Sequence, residues 1–381
     1  MQGLVVTSKG MEDITANEIK ELIGADTKIA DCSIVFDIKN LSELCLIAYK
    51  SQSIDRVLFL LSELKVNGQL LANTISILKE SNLSDWLNKK KYVIRCIRIG
   101  EHNFSSADVE AELGKSLFSY FKNTYNCDVD FNNPDVILLV YVINDAAYIG
   151  VDFSGFELNK RHYKIFAYPS SLRATIGYAL LRLGDFKDNE VLLDPFVGDG
   201  VIVIEAALYV FQFPVNHYQK DKFIFRKFEL LKNTDFDRFL SKFDKKIETK
   251  SEIYGYDFLF KYVDYSRKNA KIAGVTDMIN FSRVELEWLD VKFKGKSVDK
   301  IVTKLPTIKN KKFEKIVNEF FYQSSYILKD NGAISLATFS KEPVVEYAKK
   351  NNFSLVGERQ IFSGKQPIFA LLFKKSSYIS I

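Results

Sequence analysis

Apolar and polar positions follow two periods along this chain, and the changes of period mark its elements. Residues 4–7 are a short apolar run that predicts a strand, Lys9-Gly10 predicts a turn, and apolar positions over residues 12–22 recur at helical spacing. Residues 33–36 and 56–61 predict strands around a helix over 41–50. Residues 92–98 alternate as a strand does, and Ser105-Ser106-Ala107-Asp108 caps a helix running to about residue 120. Residues 136–143 and 147–152 predict a hairpin turning at Asn144-Asp145. Residues 153–168 have little periodicity and predict a linker. Strands are then expected at 191–193, 253–256, 279–281, 299–302, 333–337 and 369–373, with helices between them. That alternation predicts a mostly parallel, doubly wound sheet. The chain is therefore α/β: an α+β unit over residues 1–70, a second over 71–152, a linker over 153–168 and a doubly wound domain over 169–381.

Composition narrows the classes. A chain of 381 residues suits two or three domains, and 47% hydrophobic with 27% charged residues is a folded balance. The net charge of +5 permits a polyanionic partner without demanding one. Cys32, Cys45, Cys96 and Cys127 form no CxxC pair and there are three histidines, which argues against a zinc site of the usual spacing. Scattered thiols predict buried, reduced cysteines. Residues 1–7 carry no signal-peptide core, and no apolar run approaches the ~20 residues that span a bilayer. The expectation is a soluble, cytoplasmic protein with no metal and no membrane partner, its oligomeric state left open.

The sharpest motif is Leu193-Asp194-Pro195-Phe196-Val197-Gly198-Asp199-Gly200, followed by Val201-Ile202-Val203-Ile204-Glu205. An apolar strand ends in an acid, and a glycine loop opens a helix. Glycines let the backbone approach a ligand, and free amides at a helix start suit a carboxylate. Gly255-Tyr256-Asp257 ends the second strand, where an acid takes ribose hydroxyls.

The string resembles motif I of class I methyltransferases, in the form found in RNA guanine-N2 methyltransferases. The resemblance implies a Rossmann-like domain and S-adenosyl-L-methionine as cofactor. It places Asp194, Gly198 and Gly200 at the methionine end with Pro195 and Phe196 beside them, Asp257 at the ribose and Glu285 at the adenine amine. The family's Cys, Ser and Thr are here Val197, Asp199 and Val201, so Asp199 brings an extra negative charge. Residues 167–173 resemble the family's entry to its first helix, and residues 211–251 resemble the insert after motif I in bacterial ribosomal-RNA enzymes.

Residues 94–106, 131–135 and 150–152 resemble a THUMP domain, and residues 7–13 the ferredoxin-like domain that precedes it. With the catalytic half, the resemblance covers nearly the whole chain. It implies a structured RNA partner, typically held at the tRNA acceptor end and recognised by shape. Arg95, Arg98, His102, Lys160 and Arg161 are the expected RNA contacts, with Lys89, Lys90 and Lys91 close by in sequence.

The fourth strand departs from the family. Where the family carries Asn or Asp, then Pro-Pro-Tyr or Leu-Pro-Tyr, this chain has Lys304-Leu305-Pro306-Thr307. The first residue normally accepts from the exocyclic amine and the aromatic stacks on the flipped base. A lysine ammonium has three donors and no acceptor. Three readings follow: Lys304 works uncharged in a dry pocket, another residue such as Tyr163 substitutes, or catalysis is lost. The resemblance thus implies methylation of guanine N2 in tRNA after base flipping. The alternatives are a ribosomal RNA substrate, an RNA-binding relative without turnover, and a DNA adenine or protein methyltransferase of the same fold.

Overall fold

The computed structural model describes residues 1–308, 311–363 and 366–376. It divides into two compact units, one of Met1–Thr7, Thr15–Leu158 and Gln219–Lys242, the other of Ser8–Ile14, Asn159–Tyr218 and Phe243–Ile381.

In the first unit the strands are β1 (Gln2–Val6), β2 (Thr27–Ala30), β3 (Ser33–Asp37), β4 (Arg56–Lys65), β5 (Lys91–Ile99), β6 (Asp128–Val129), β7 (Val136–Ile143) and β8 (Ala146–Asp152). The helices there are α1 (Glu12–Ile23), whose first turn belongs to the second unit, α2 (Leu41–Lys50), α3 (Leu70–Glu80), α4 (Ser84–Leu87) and α5 (Ser106–Tyr125). Residues 1–70 and 71–152, expected as separate units, share one sheet. Among the described residues its order is β2-β3-β1-β4-β8-β7-β5-β6, joined where Leu58 faces Asp152 and Lys65 faces Ala146. Leu4, Val35, Leu58, Leu139 and Tyr148 form one apolar cluster across that join. The α5 start is a capping box: the Ser105 side chain accepts from the Asp108 N–H while Asp108 accepts from Ser105. The expected hairpin turns at Asn144, which takes a positive φ of 46°. All four cysteines are buried, and none forms a disulfide among the described residues.

Segment Gln219–Lys242, drawn from the insert, packs with this unit. It carries short 3₁₀ turns and α6 (Phe236–Ser241). Phe228 meets Trp86 and Phe153 edge-on at 5.1 Å each, so aromatic burial fixes the segment in place.

The second unit holds β9 (Val191–Asp194), β10 (Glu252–Asp257), β11 (Ile279–Arg283), β12 (Val298–Lys304), β13 (Leu328–Thr338), β14 (Phe353–Ser363) and β15 (Gln366–Lys375). Its helices are α7 (Ala174–Leu183), α8 (Val201–Val210), α9 (Phe260–Ala273), α10 (Leu289–Lys292), α11 (Lys311–Ile327) and α12 (Lys341–Lys350). The sheet order is β11-β10-β9-β12-β13-β15-β14, parallel through β13 and antiparallel at β15 and β14. One core packs α7, α8 and α9 on one face, and a second packs α10, α11 and α12 on the other. This is the doubly wound domain expected. The order reverses between β9 and β12, so a crevice opens at their carboxyl ends. No helix among the described residues is long and apolar enough to cross a membrane.

Candidate functional site

A cavity of about 670 Å³ lies at that crevice. Asp194 closes β9, Asp257 closes β10, Glu285 follows β11 and Lys304 closes β12, and all four line it. The parallel register brings them together, because neighbouring strands end at one edge of the sheet. Pro195, Phe196, Gly198, Asp199, Pro306 and Thr307 line it as well.

Two glycines shape the loop. Gly198 sits at φ +54°, and a Cβ there would come within 3.3 Å of the Tyr168 ring. Gly200 caps α8 at φ +84°, and a Cβ would fall 2.8 Å from Ser266 Cβ on α9. Gly200 is thus required by helix packing and backbone conformation; it does not line the cavity.

Carboxylates dominate the floor. Asp194 is 1% exposed; its Oδ1 accepts from Thr303 Oγ1 at 2.5 Å and from the Phe196 N–H at 3.1 Å. Burial, helped by the charges of Asp257 and Asp199, pushes its pKa up to about 7 against the pull of those hydrogen bonds. Asp257 accepts from the Leu259 N–H at 3.0 Å and the Gly198 N–H at 3.3 Å, and burial raises its pKa too. Asp199 is buried with its pKa raised by burial; Lys164 stands 3.9 Å away and pulls the other way. Glu285, Glu287 and Glu319 add acids at the wall, against Lys304, Lys312 and Lys315. An acidic cavity has formed in a chain of net charge +5.

Lys304 is half-buried. Its Nζ donates to Thr307 Oγ1 at 3.1 Å and lies 5.6 Å above the Phe339 ring. Burial lowers its pKa to about 8, opposed by Asp199.

Several expected residues lie elsewhere. Arg161 cannot be an RNA contact. Its side chain is 0% exposed, and it forks onto the equally buried Glu205, Nε to Oε1 at 2.9 Å and Nη2 to Oε2 at 3.2 Å. Tyr163 adds its hydroxyl to Glu205 at 2.7 Å and is wholly buried, so it is no substitute at the cavity. Leu305 turns its side chain into the core below β12. Lys160 is exposed. After Thr307 the sequence Ile308-Lys309-Asn310-Lys311-Lys312 reads as a basic loop, of which Lys309 and Asn310 lie outside the described residues.

In the first unit a cavity of about 430 Å³ is lined by Arg56, Arg95, Lys222 and Lys227, with Glu110 and Glu157. Arg95 lies 5.9 Å from the ring of exposed Phe131 and donates to its carbonyl at 3.0 Å. Arg98 and His102 do not join it. They bond to each other at 3.3 Å, and His102 pairs with the Asn144 carbonyl at 2.8 Å. Lys222 and Lys227 went unnoticed in the sequence because the insert gave no sign of folding with the N-terminal unit, and Arg56 because it opens the strand expected over 56–61. Tyr168, Ser171 and Tyr262 of the larger cavity were also missed; the first two stand in the recognised 167–173 stretch.

A family model described as the RMKL-like methyltransferase domain matches residues 161–366, more than half of the chain. The chain belongs to the RMKL-like methyltransferase family. Ahead of that region a THUMP domain model matches residues 76–152. The tRNA (guanine(6)-N2)-methyltransferase of Methanocaldococcus jannaschii is 30% identical over 96% of this chain and 97% of its own. The ribosomal RNA large subunit methyltransferase K/L of Aliivibrio salmonicida is 27% identical over 73% of this chain, but over 40% of its own length. SMU.472, solved in complex with SAH, shares the fold at a TM-score of 0.82 and 16% identity, covering 98% of each chain.

Proposed function

We propose that this chain is a cytoplasmic enzyme that transfers a methyl group from S-adenosyl-L-methionine to the exocyclic N2 of a guanine in tRNA, the base being flipped out of its helix. One observation carries the reading: the M. jannaschii tRNA enzyme matches from end to end, whereas the ribosomal RNA enzyme is matched over 40% of its length.

The cavity fits the cofactor's chemistry. When bound, the cofactor supplies an electrophilic methyl group on a positively charged sulfur. Buried Asp194, Asp199 and Asp257 favour a cation, and the α8 amides favour a carboxylate. Asp257 keeps lone pairs for ribose hydroxyls beyond the two backbone N–H groups it already accepts. Gly198 leaves room for close approach. Pro195 and Phe196 supply apolar wall, and Glu285 offers an acceptor at the far end. The cavity volume is within the range of ligand sites. On this reading RNA phosphates meet Arg95 with Arg56, Lys222 and Lys227, and Arg98, His102 and Lys160 add contacts nearer the surface.

A second reading, an RNA-binding relative without turnover, draws on Lys304 and Thr307 in place of an acceptor and an aromatic ring. Single-turnover assays with labelled cofactor on tRNA and ribosomal RNA separate the two. The expected result is label in tRNA, at N2-methylguanine. Folded protein that binds cofactor yet labels neither RNA removes the enzyme reading; label confined to ribosomal RNA removes the tRNA one.

A further inference from the structure

We propose that Lys304, in its uncharged form, accepts the proton leaving the target amine, and that Asp199 stabilises the ammonium so formed. The inference rests on the methyltransferase reading above, and it gives one cause for two departures from the family string.

Geometry supports it first. Lys304 ends the strand beside β9, so its side chain enters the cavity at the edge where Asp194 and Asp257 also end. Thr307 Oγ1 holds one N–H of Nζ at 3.1 Å, and the Phe339 ring covers Nζ at 5.6 Å. A neutral amine held by one N–H keeps a lone pair for the cavity. Among the described residues, the charged groups lining that space are Asp194 at the end of β9, Asp199 in the loop that follows, Asp257 at the end of β10, and Glu285 and Glu287 after β11. Lys312, Lys315 and Glu319 face it from α11. Desolvation is the larger influence on Lys304 and lowers its pKa to about 8, while Asp199 favours the charged form. A group balanced in this way accepts a proton readily and holds it only briefly.

The step balances. The guanine N2–H bond breaks and its proton goes to Nζ. The N2 electron pair forms the N2–CH₃ bond. The methyl–sulfur bond breaks with its electrons left on sulfur, which becomes a neutral thioether. One positive charge disappears at sulfur as one appears on Lys304, so the net charge of the cavity is unchanged. Lys304 then returns its proton to water.

Two measurements test this on the full-length protein. Competitive acylation followed by peptide mass spectrometry reads the titration of Lys304 in the parent, with no variant and no turnover. Single-turnover methylation of tRNA is followed from pH 6.5 to 9 for the parent, Lys304→Arg and Lys304→Asn, each checked for fold by circular dichroism. Lys304 should titrate well below exposed lysines. The parent rate should rise about tenfold per pH unit up to that titration point and then level. Lys304→Arg, permanently charged, should lose at least 100-fold at every pH. Lys304→Asn should retain a slower rate that does not vary with pH. A flat parent profile, a Lys304 that titrates with the exposed lysines, or an arginine variant within threefold of the parent overturns the proposal. In each of those cases guanine methylation by the parent leaves the assigned function standing. A parent that methylates no RNA at any pH removes both.

Discussion

The two cavities of this molecule are opposites. In the first unit, about 430 Å³ is lined by Arg56, Arg95, Lys222 and Lys227, with an exposed phenylalanine beside one arginine. In the second, about 670 Å³ is floored by buried Asp194, Asp199 and Asp257. A net charge of +5 shows neither. The difference teaches that charge acts by place: the surroundings of one cavity suit a polyanion, and the floor of the other suits a small cation. It also separates two uses of a buried acid. Glu205 is paired with Arg161 and Tyr163 and holds the fold together; Asp194 accepts from Thr303 and the Phe196 N–H and lines the cavity.

Four measurements would break or sharpen the contrast. The largest effect is expected for Glu205→Ala, which strands a buried guanidinium and should cost about 3–5 kcal/mol in denaturant unfolding. Asp257→Ala should weaken cofactor binding about 100-fold in calorimetry, roughly 2.7 kcal/mol, with tRNA affinity within twofold of the parent. Equal losses of both ligands would end the division of labour. Lys222→Glu should reverse that pattern. Its tRNA affinity should fall about tenfold at 50 mM salt, the deficit should shrink at 200 mM, and cofactor binding should stay the same. The last is Asp194→Asn, whose sign depends on pH. Because the folded carboxyl titrates near 7, above its unfolded value of about 3.9, its contribution to stability is full below pH 4 and is lost as pH rises through 7. Asparagine does not titrate and still accepts from Thr303. The variant should therefore melt above the parent without cofactor at pH 8 and level with it at pH 4, while binding cofactor less well. A lower melting point at pH 8 would mean that Asp194 is structural after all.

The fold was legible where burial is two-sided. Strands such as β7 and β9 are nearly continuous apolar runs, and the acid–glycine loop after β9 declares its chemistry through residue types. The solvated strands were not legible. Thr27–Ala30 is a half-polar edge strand, and Phe353–Ser363, at the other sheet's edge, is interrupted by Gly357-Glu358-Arg359-Gln360. Arg161 misled because its partner lies 44 residues further along; a charge next to a lysine in a non-periodic stretch looks solvated until the tertiary fold buries it. Lys222 and Lys227 stayed hidden for a related reason, since which unit an insert packs on depends on the distant aromatic residues Trp86 and Phe153.

The interleaving of the chain bears on how the protein is made. The first unit is complete only when Gln219–Lys242 has joined Thr15–Leu158. At translation rates of roughly 5–20 residues per second, that segment leaves the ribosome some 4–17 s after Leu158. Until then the aromatic seat around Trp86 is open to water or to a chaperone. A gene cut after Leu158 would yield a module lacking part of its own core, which makes the two halves of this enzyme poor candidates for exchange by simple recombination.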